Sequence, residues 1–565
     1  MAERFDVEDR DWPARPWIMA LVGAVGGLVI HLLTDRAHYD TPFPVWRQAA
    51  TAFTAIAVVS FILTVELRRW TWSIAFAVGW GAVIALIGWF TAQYNQVPEI
   101  FEFPFFSGIL AVLVAAPLFQ TIRDEGAWRF PYARLHRHAW TDAVIGAASL
   151  AFTGITFLLA WLIASLFDVI GIHAIKTLLQ KDWFNWMLAG LAFGGAIGIL
   201  RERDALVATL QKLAMVVLSV LAPVLAVALA AFLLSLPFTG LKGLWESDIP
   251  ATPMLLLSGA GAILLANAVI GDGRDDRSPN IWLRRAALLL TVCILPLAFF
   301  AALSMGQRIG QYGWTPERIW GVIAVGIALA YGAVAWWAVY KGRQDFDEAL
   351  RPLQTKLAIG LAGLALFLAL PILDFGAISA RSQLARLTSG KVKAEEFDWT
   401  AMAFDFGKSG RKHLADIEKR GPAGQRALAA AALKSENRYA LSEETQSVAQ
   451  QSRLDQYLRV MSPDIAVTDK LKAEITGYDG CKDKPCALLR LDAGHLLLVY
   501  KPYESSLVQS RVIDVAKLGN DKTEVREDPA AGSEKADLSK ATIEIRPVER
   551  RQLFVDGNPV GNSFE

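Results

Sequence analysis

The sequence predicts a membrane all-α domain of about eleven transmembrane helices followed by a smaller soluble α+β domain. Three observations carry this reading. Of 565 residues, 54% are apolar, and with 19 Trp and 29 Phe they gather into runs long enough to cross hydrocarbon, unlike those of an ordinary globular enzyme. Basic residues collect in alternate loops between the runs. Beyond Asp374 the apolar runs stop and the composition becomes polar and charged. The formal charge of +1 is a sum of segregated patches and leaves no basic footprint for nucleic acid.

Residues 1-15 mix arginines and acids, and no small-residue cleavage site follows the first apolar run, so they read as a retained cytoplasmic tail rather than a signal peptide. Spanning runs then fall near 16-34, 46-67, 70-92, 104-122, 140-167, 183-200, 211-236, 250-270, 285-304, 318-340 and 355-374, within a polytopic domain of residues 16-375. An odd number of crossings puts the termini on opposite sides. Arg68 and Arg69, then Arg123 to Arg137, Arg201 to Lys212, Arg274 to Arg285 and Lys341 to Lys356 mark the alternate loops as cytoplasmic, predicting an N-in, C-out protein of a bacterial inner membrane. Between the fifth and sixth spans, Asp168 to Asp182 is too polar to cross and reads as an interfacial helix. Gly190, Gly194 and Gly198 recur every fourth residue on one helix face, where a neighbouring backbone can approach.

Between the tenth span and its predecessor lies a polar hinge, Gln307 to Trp320. Thr315 suits an N-cap, Pro316 the first helical position and Glu317 the positive helix end, while Trp314 and Trp320 suit headgroup level. Arg308 and Arg318 stand here against the charge bias, beside Gln311, Tyr312 and Glu317, so the hinge is the leading ligand or interface candidate. The structural expectation is an ion pair of Arg308 or Arg318 with Glu317 or with Asp374; the functional one is an anion held by arginine.

Other chemistry is sparse. Ionisable side chains avoid the span centres, and His31, Glu66, Asp142 and Asp374, like the polar Asn267, sit near span ends, which counts against ion-coupled transport. His136 and His138 lie among arginines that would repel a metal cation and suit topology control or lipid headgroups; Asp272, Asp275 and Asp276 lack calcium-loop spacing. Ser409 and Lys412 match Ser-x-x-Lys without its companion motifs, and Ser409 reads as a helix cap. No motif implies a metal or cofactor. Multi-span lipid-linked glycosyltransferases offer an architectural analogy through Asp35, His38 and Asp40 in the first outer loop, although that loop is short for the class.

After the last span, 376-462 reads as a helical juxtamembrane stalk with helices over Lys408 to Lys419, Gln425 to Lys434 and Ser442 to Val460. Residues 463-565 read as a β-rich extracytoplasmic module, with strands at Ala487 to Leu491, His495 to Tyr500, Val508 to Val515, Thr542 to Arg546 and Gln552 to Val555 and a mobile polar loop over Asp521 to Lys540. Cys481 and Cys486 at a turn in an oxidising compartment predict a local disulfide.

Three stretches carry a family resemblance: Phe130-Pro-Tyr-Ala-Arg-Leu followed by Trp140, the hinge from Arg308 to Arg318, and Arg381-Ser-Gln-Leu-Ala-Arg-Leu-Thr-Ser-Gly-Lys-Val with Glu396-Phe-Asp-Trp. In them the chain resembles a family of bacterial polytopic membrane proteins of unknown function, DUF4153, over most of the membrane domain and the stalk. The resemblance implies a multi-span inner-membrane protein and supplies no activity. The function expected is an envelope scaffold or assembly factor that presents an outer module to a periplasmic or membrane protein partner, ahead of a transporter or lipid-handling protein and of an enzyme using Asp35 and Asp40.

Overall fold

The computed structural model describes residues 12–35, 44–92, 98–240, 250–476, 481, 484–501, 508–518, 538–540, 543, 551–555 and 558–564. The chain divides into two compact units, Met1–Thr388 with Ala401–Asp416, and Ser389–Thr400 with Ile417–Glu565.

In the first unit the helices are α1 (Arg15–Thr34), α2 (Val45–Thr64), α3 (Trp70–Ala92), α4 (Pro98–Glu125), α5 (Tyr132–Val169), α6 (Ala174–Leu179), α7 (Asp182–Arg201), α8 (Asp204–Thr239), α9 (Ala251–Ile270), α10 (Ile281–Tyr312), α11 (Pro316–Gly342), α12 (Phe346–Ala369), α13 (Phe375–Thr388) and α14 (Gly407–Arg420). Among the described residues eleven of these, all but α6, α13 and α14, are long and apolar enough to cross a membrane. The expected interfacial helix is short: α5 runs on to Val169, Gly171 turns the chain at φ 84°, and His173 and Lys176 of the following turn both face Asp168. The last span starts and ends earlier than expected. Pro371 cannot continue a helix and pushes Leu370 to ψ 147°, so α12 stops at Ala369.

Close backbone approach organises the N-terminal spans. A Cβ on Gly190 would lie 2.0 Å from the Gly23 carbonyl oxygen, one on Gly194 2.2 Å from that of Met19, and one on Gly198 2.5 Å from Pro16 Cα. Gly27 on α1 is equally tight, at 2.1 Å from the Trp186 carbonyl oxygen, so glycines on both helices let α1 and α7 lie against each other. The C-terminal spans share a second core, centred on Leu290, Leu297 and Ala301 of α10 with Ala262 of α9 and Ala338 of α11. Ser107 of α4 donates to the Ala365 carbonyl of α12 (2.8 Å), tying the two groups of spans.

Beyond the last span the first unit keeps two polar-looking segments. Asp374 caps α13 by accepting from the Ala377 N–H (2.8 Å), and Phe375, Gly376, Ser379, Ala380 and Leu387 form its buried stripe. Ala401–Asp405 is one π-helical turn with all five residues buried. Backbone contact seals it: a Cβ on Gly376 would lie 2.6 Å from the Phe406 carbonyl oxygen, and one on Gly410 2.2 Å from that of Met402.

The second unit contains α15 (Ala423–Lys434), α16 (Arg438–Tyr457), α17 (Asp469–Thr476) and six strands. Asn437 starts α16 by accepting from the N–H groups of Tyr439 and Ala440. The helix expected through Val460 ends at Tyr457, because β1 (Leu458–Val460) pairs in parallel with β2 (Cys486–Arg490). Strands β3 (His495–Tyr500) and β4 (Gln509–Asp514) extend the sheet antiparallel in the order β1-β2-β3-β4. Leu454, Leu471, Ile475, Leu488, Leu498 and Ile513 build its core. A separate hairpin joins β5 (Arg551–Val555) to β6 (Asn558–Phe564). The strand expected over Thr542 to Arg546 falls outside the described residues apart from Ile543. Cys481 and Cys486 form a disulfide with their Cα atoms 5.5 Å apart.

Candidate functional site

The hinge is built by the end of α10, the start of α11 and the side of α13. α10 ends at Gly313, where φ is 77°, and its last carbonyls have no helical N–H of their own to meet. Side chains supply donors instead. Arg318 Nη1 donates to the carbonyls of Gly313 (2.9 Å) and Tyr312 (3.3 Å), with its guanidinium 5.3 Å from the centre of the Tyr312 ring. From α13, Gln383 donates to the carbonyls of Tyr312 (2.9 Å) and Trp314 (3.0 Å), and Arg386 to that of Gln311. The Ser382 hydroxyl accepts from the Trp314 N–H (3.1 Å). A side chain at Gly313 would meet Arg386 Cδ at 2.7 Å, so the turn needs glycine for space as well as for φ.

Among the described residues the expected ion pairs of Arg308 or Arg318 with Glu317 or Asp374 are not found. Asp374 accepts from Ala377 N–H and, at 3.4 Å, from the Ser409 hydroxyl, while Arg318 is drawn to the helix-end carbonyls. Glu317 and Gln311 expose their side chains. Thr315 takes the N-cap position with extended backbone, yet its hydroxyl caps no N–H, and Pro316 opens α11. Ser409 lies within the first turn of α14 rather than ahead of it. What the sequence did not reveal was the partner: Arg381 to Arg386 closes onto Arg308 to Arg318, bringing two of the three resemblance-bearing stretches into contact.

A second polar centre gathers where the basic loops meet at one end of the bundle. Arg123 is buried, pairs with Glu66 and with Asp124 (3.0 Å), and donates to the Thr64 carbonyl. Arg201 donates to the Leu63 carbonyl (2.7 Å), and Arg15 pairs with Glu202 (3.2 Å) while donating to the Arg201 carbonyl. His138 reaches Asp124 (3.0 Å), and Gln120 donates to Asp142 (3.1 Å). Nearby, the buried pair Asp347 and Arg351 (2.7 Å) ties α12 to the end of α9, because Arg351 donates to the Ile270 carbonyl (2.7 Å). Arg277 donates to Asp345 (2.9 Å), which holds that carboxyl below the usual carboxylate range and raises the guanidinium. These charges cap helix ends and one another. Spacing alone could not find the long-range pairs, Arg123 with Glu66, Arg15 with Glu202 and Arg277 with Asp345, since the partners lie dozens of residues apart.

Of the remaining candidates, His136 lies within electrostatic range of Asp272 and Asp276, while Asp35 is elsewhere. Asp35 ends α1, its backbone carbonyl accepting from Arg47 (2.8 Å), while His38 and Asp40 lie outside the described residues. His136 meets Tyr132 (3.1 Å), Asp272 faces Arg137 (3.6 Å), and Asp276 accepts from the Asp272 N–H (3.2 Å). Among the described residues no group of three or more His, Cys, Asp or Glu could hold a metal ion. Asn267 accepts from Gln354 (2.9 Å) beside a small cavity lined by Thr291 and Tyr331.

Eleven apolar helices among the described residues, some of them packed through close glycine contacts, make this a multi-pass membrane protein. The chain belongs to the family described as Domain of unknown function (DUF4153), whose model matches residues 50–405. No curated protein and no solved structure matches it.

Proposed function

We propose that this protein is a scaffold or assembly factor of the bacterial envelope, set in the inner membrane with its N-terminus in the cytoplasm and its second unit in the periplasm. The observation that carries the reading is the second unit itself. It has its own core and a disulfide, and most of it lies beyond residue 405, where the family match ends. A module of that kind on a shared membrane unit suits the presentation of a surface to a partner protein. A disulfide belongs to an oxidising compartment, which agrees with the charge bias of the loops. In the membrane unit the buried charges bond helix ends and each other, an arrangement that suits an anchor. Crosslinking in cells followed by mass spectrometry tests this: a protein partner captured repeatedly on residues 417–565 supports the scaffold, and its absence alongside a co-purifying solute or sugar rejects it. Reporter fusions at Arg129, Arg277 and the C-terminus test the orientation, and a cytoplasmic signal at the C-terminus rejects it.

A further inference from the structure

We propose that the hinge binds a phosphate-bearing anion through Arg308 and the open edge of Arg318. Among the described residues Arg308 is exposed and makes no hydrogen bond or ion pair. Both hydrogen bonds of Arg318 leave from Nη1, so its Nε and Nη2 make none within the described residues. That pair of N–H groups is the planar fork that matches two oxygens of one phosphate. Arg308 and Arg386 both lie within electrostatic range of Arg318, and the carboxylate acting on it is that of Glu317. Arg308 and Arg386 thus add positive charge beside Arg318, where Glu317 is the carboxylate that acts on it among the described residues.

The fork is held in place. The Tyr312 ring supports the Arg318 guanidinium, and the two carbonyls fix its other nitrogen. Arg386 and Gln383 cover carbonyls at the end of α10 that would otherwise repel an anion. Tyr312, 58% exposed, and Trp314, 36% exposed, flank the site at the junction of two spans, and aromatic residues at span ends favour the level of lipid headgroups. The anion is therefore a phosphate, supplied by a lipid headgroup or free in solution. This holds whether or not the second unit has a protein partner.

The test uses the full chain, delipidated in neutral detergent, with its melting temperature followed during titration with phosphatidylglycerol, with diacylglycerol of the same chains, and with inorganic phosphate. Phosphatidylglycerol or phosphate should raise the melting temperature saturably. Since Arg308 makes no hydrogen bond or ion pair among the described residues, Arg308→Ala should leave the unliganded melting temperature unchanged and raise the half-maximal concentration about tenfold, as expected for loss of one charge-assisted contact. Arg308→Lys should fall between. A shift with phosphatidylglycerol alone identifies a headgroup, and one with phosphate alone a free anion; either sustains the proposal. An equal shift with diacylglycerol, no shift with any, or one unaltered in Arg308→Ala overturns it.

Discussion

Gly190 has no room for a side chain, because the carbonyl of Gly23 occupies the place of its Cβ. Gly154 on α5 has open space around the same position. The two glycines therefore separate packing from helix propensity. Gly190→Ala should force α1 and α7 apart and sharply lower the yield and thermal stability of folded protein. Gly154→Ala should be neutral or stabilising by about 0.5–1 kcal/mol, the ordinary advantage of Ala in a helix. A melting curve for each variant decides the matter, and equal losses would mean that close approach is not what Gly190 provides. Arg123 makes a different demand. Truncating it strips Glu66 and the Thr64 carbonyl of a buried partner, so Arg123→Ala should cost about 3–5 kcal/mol in a denaturant titration. A cost below about 1 kcal/mol, typical of a surface pair, would show that the cluster is solvated.

At the scale of elements, the spans were legible because length and hydropathy set them, and the α7 glycine stripe because its period is local. The mates of those glycines on α1 were not, since Gly23 and Gly27 carry no signal of which helix they meet. α13 reads as stalk because its polar residues outnumber its buried ones, and the π-turn at Ala401–Asp405 because so short an apolar run cannot register as a span; what places both in the first unit is backbone contact at Gly376 and Gly410, which has no composition signature. The hinge reads as a helix start whose arginines would meet carboxylates; helix-end carbonyls are instead the acceptors of Arg318, because α10 closes at Gly313 with those groups unmet. In the second unit β1 was missed since three residues after a helix give no period. The β2–β3 turn offers a pH test. Asp492 accepts from the N–H groups of Gly494 (2.8 Å) and His495 (2.9 Å) and from the His495 ring, and these bonds, that of Gly494 first, hold its carboxyl below the usual range. A carboxyl so depressed contributes stability above its unfolded value and loses it as pH falls through its folded one. Asp492→Ala should thus be less stable than the parent at neutral pH, with the difference shrinking in acid. A difference that stays constant across the acid range would refute the assignment.

The whole molecule joins two kinds of stability. The first unit is held by span packing and buried charge that reductant does not touch, and Cys293 within α10 is a buried free thiol. The second has a small core around Leu488, Leu498 and Ile475, closed by the bridge from Cys481 to Cys486. With the cysteines only five positions apart in sequence, loop-closure entropy predicts a contribution of about 2 kcal/mol, near the lower end of the usual range. Because each unit has its own core, the protein in detergent should melt in two events. Reductant, or Cys481→Ser with Cys486→Ser, should lower the melting temperature of the second unit by several degrees and leave the other in place. The assignment can be made by fluorescence, since the 19 tryptophans are concentrated in the first unit, set against proteolysis of the second. One concerted transition, or a reductant effect on both, would mean that the units do not unfold separately. Free thiols at Cys481 and Cys486 in protein taken from cells would instead remove the disulfide and, with it, a principal support for placing the second unit in an oxidising compartment.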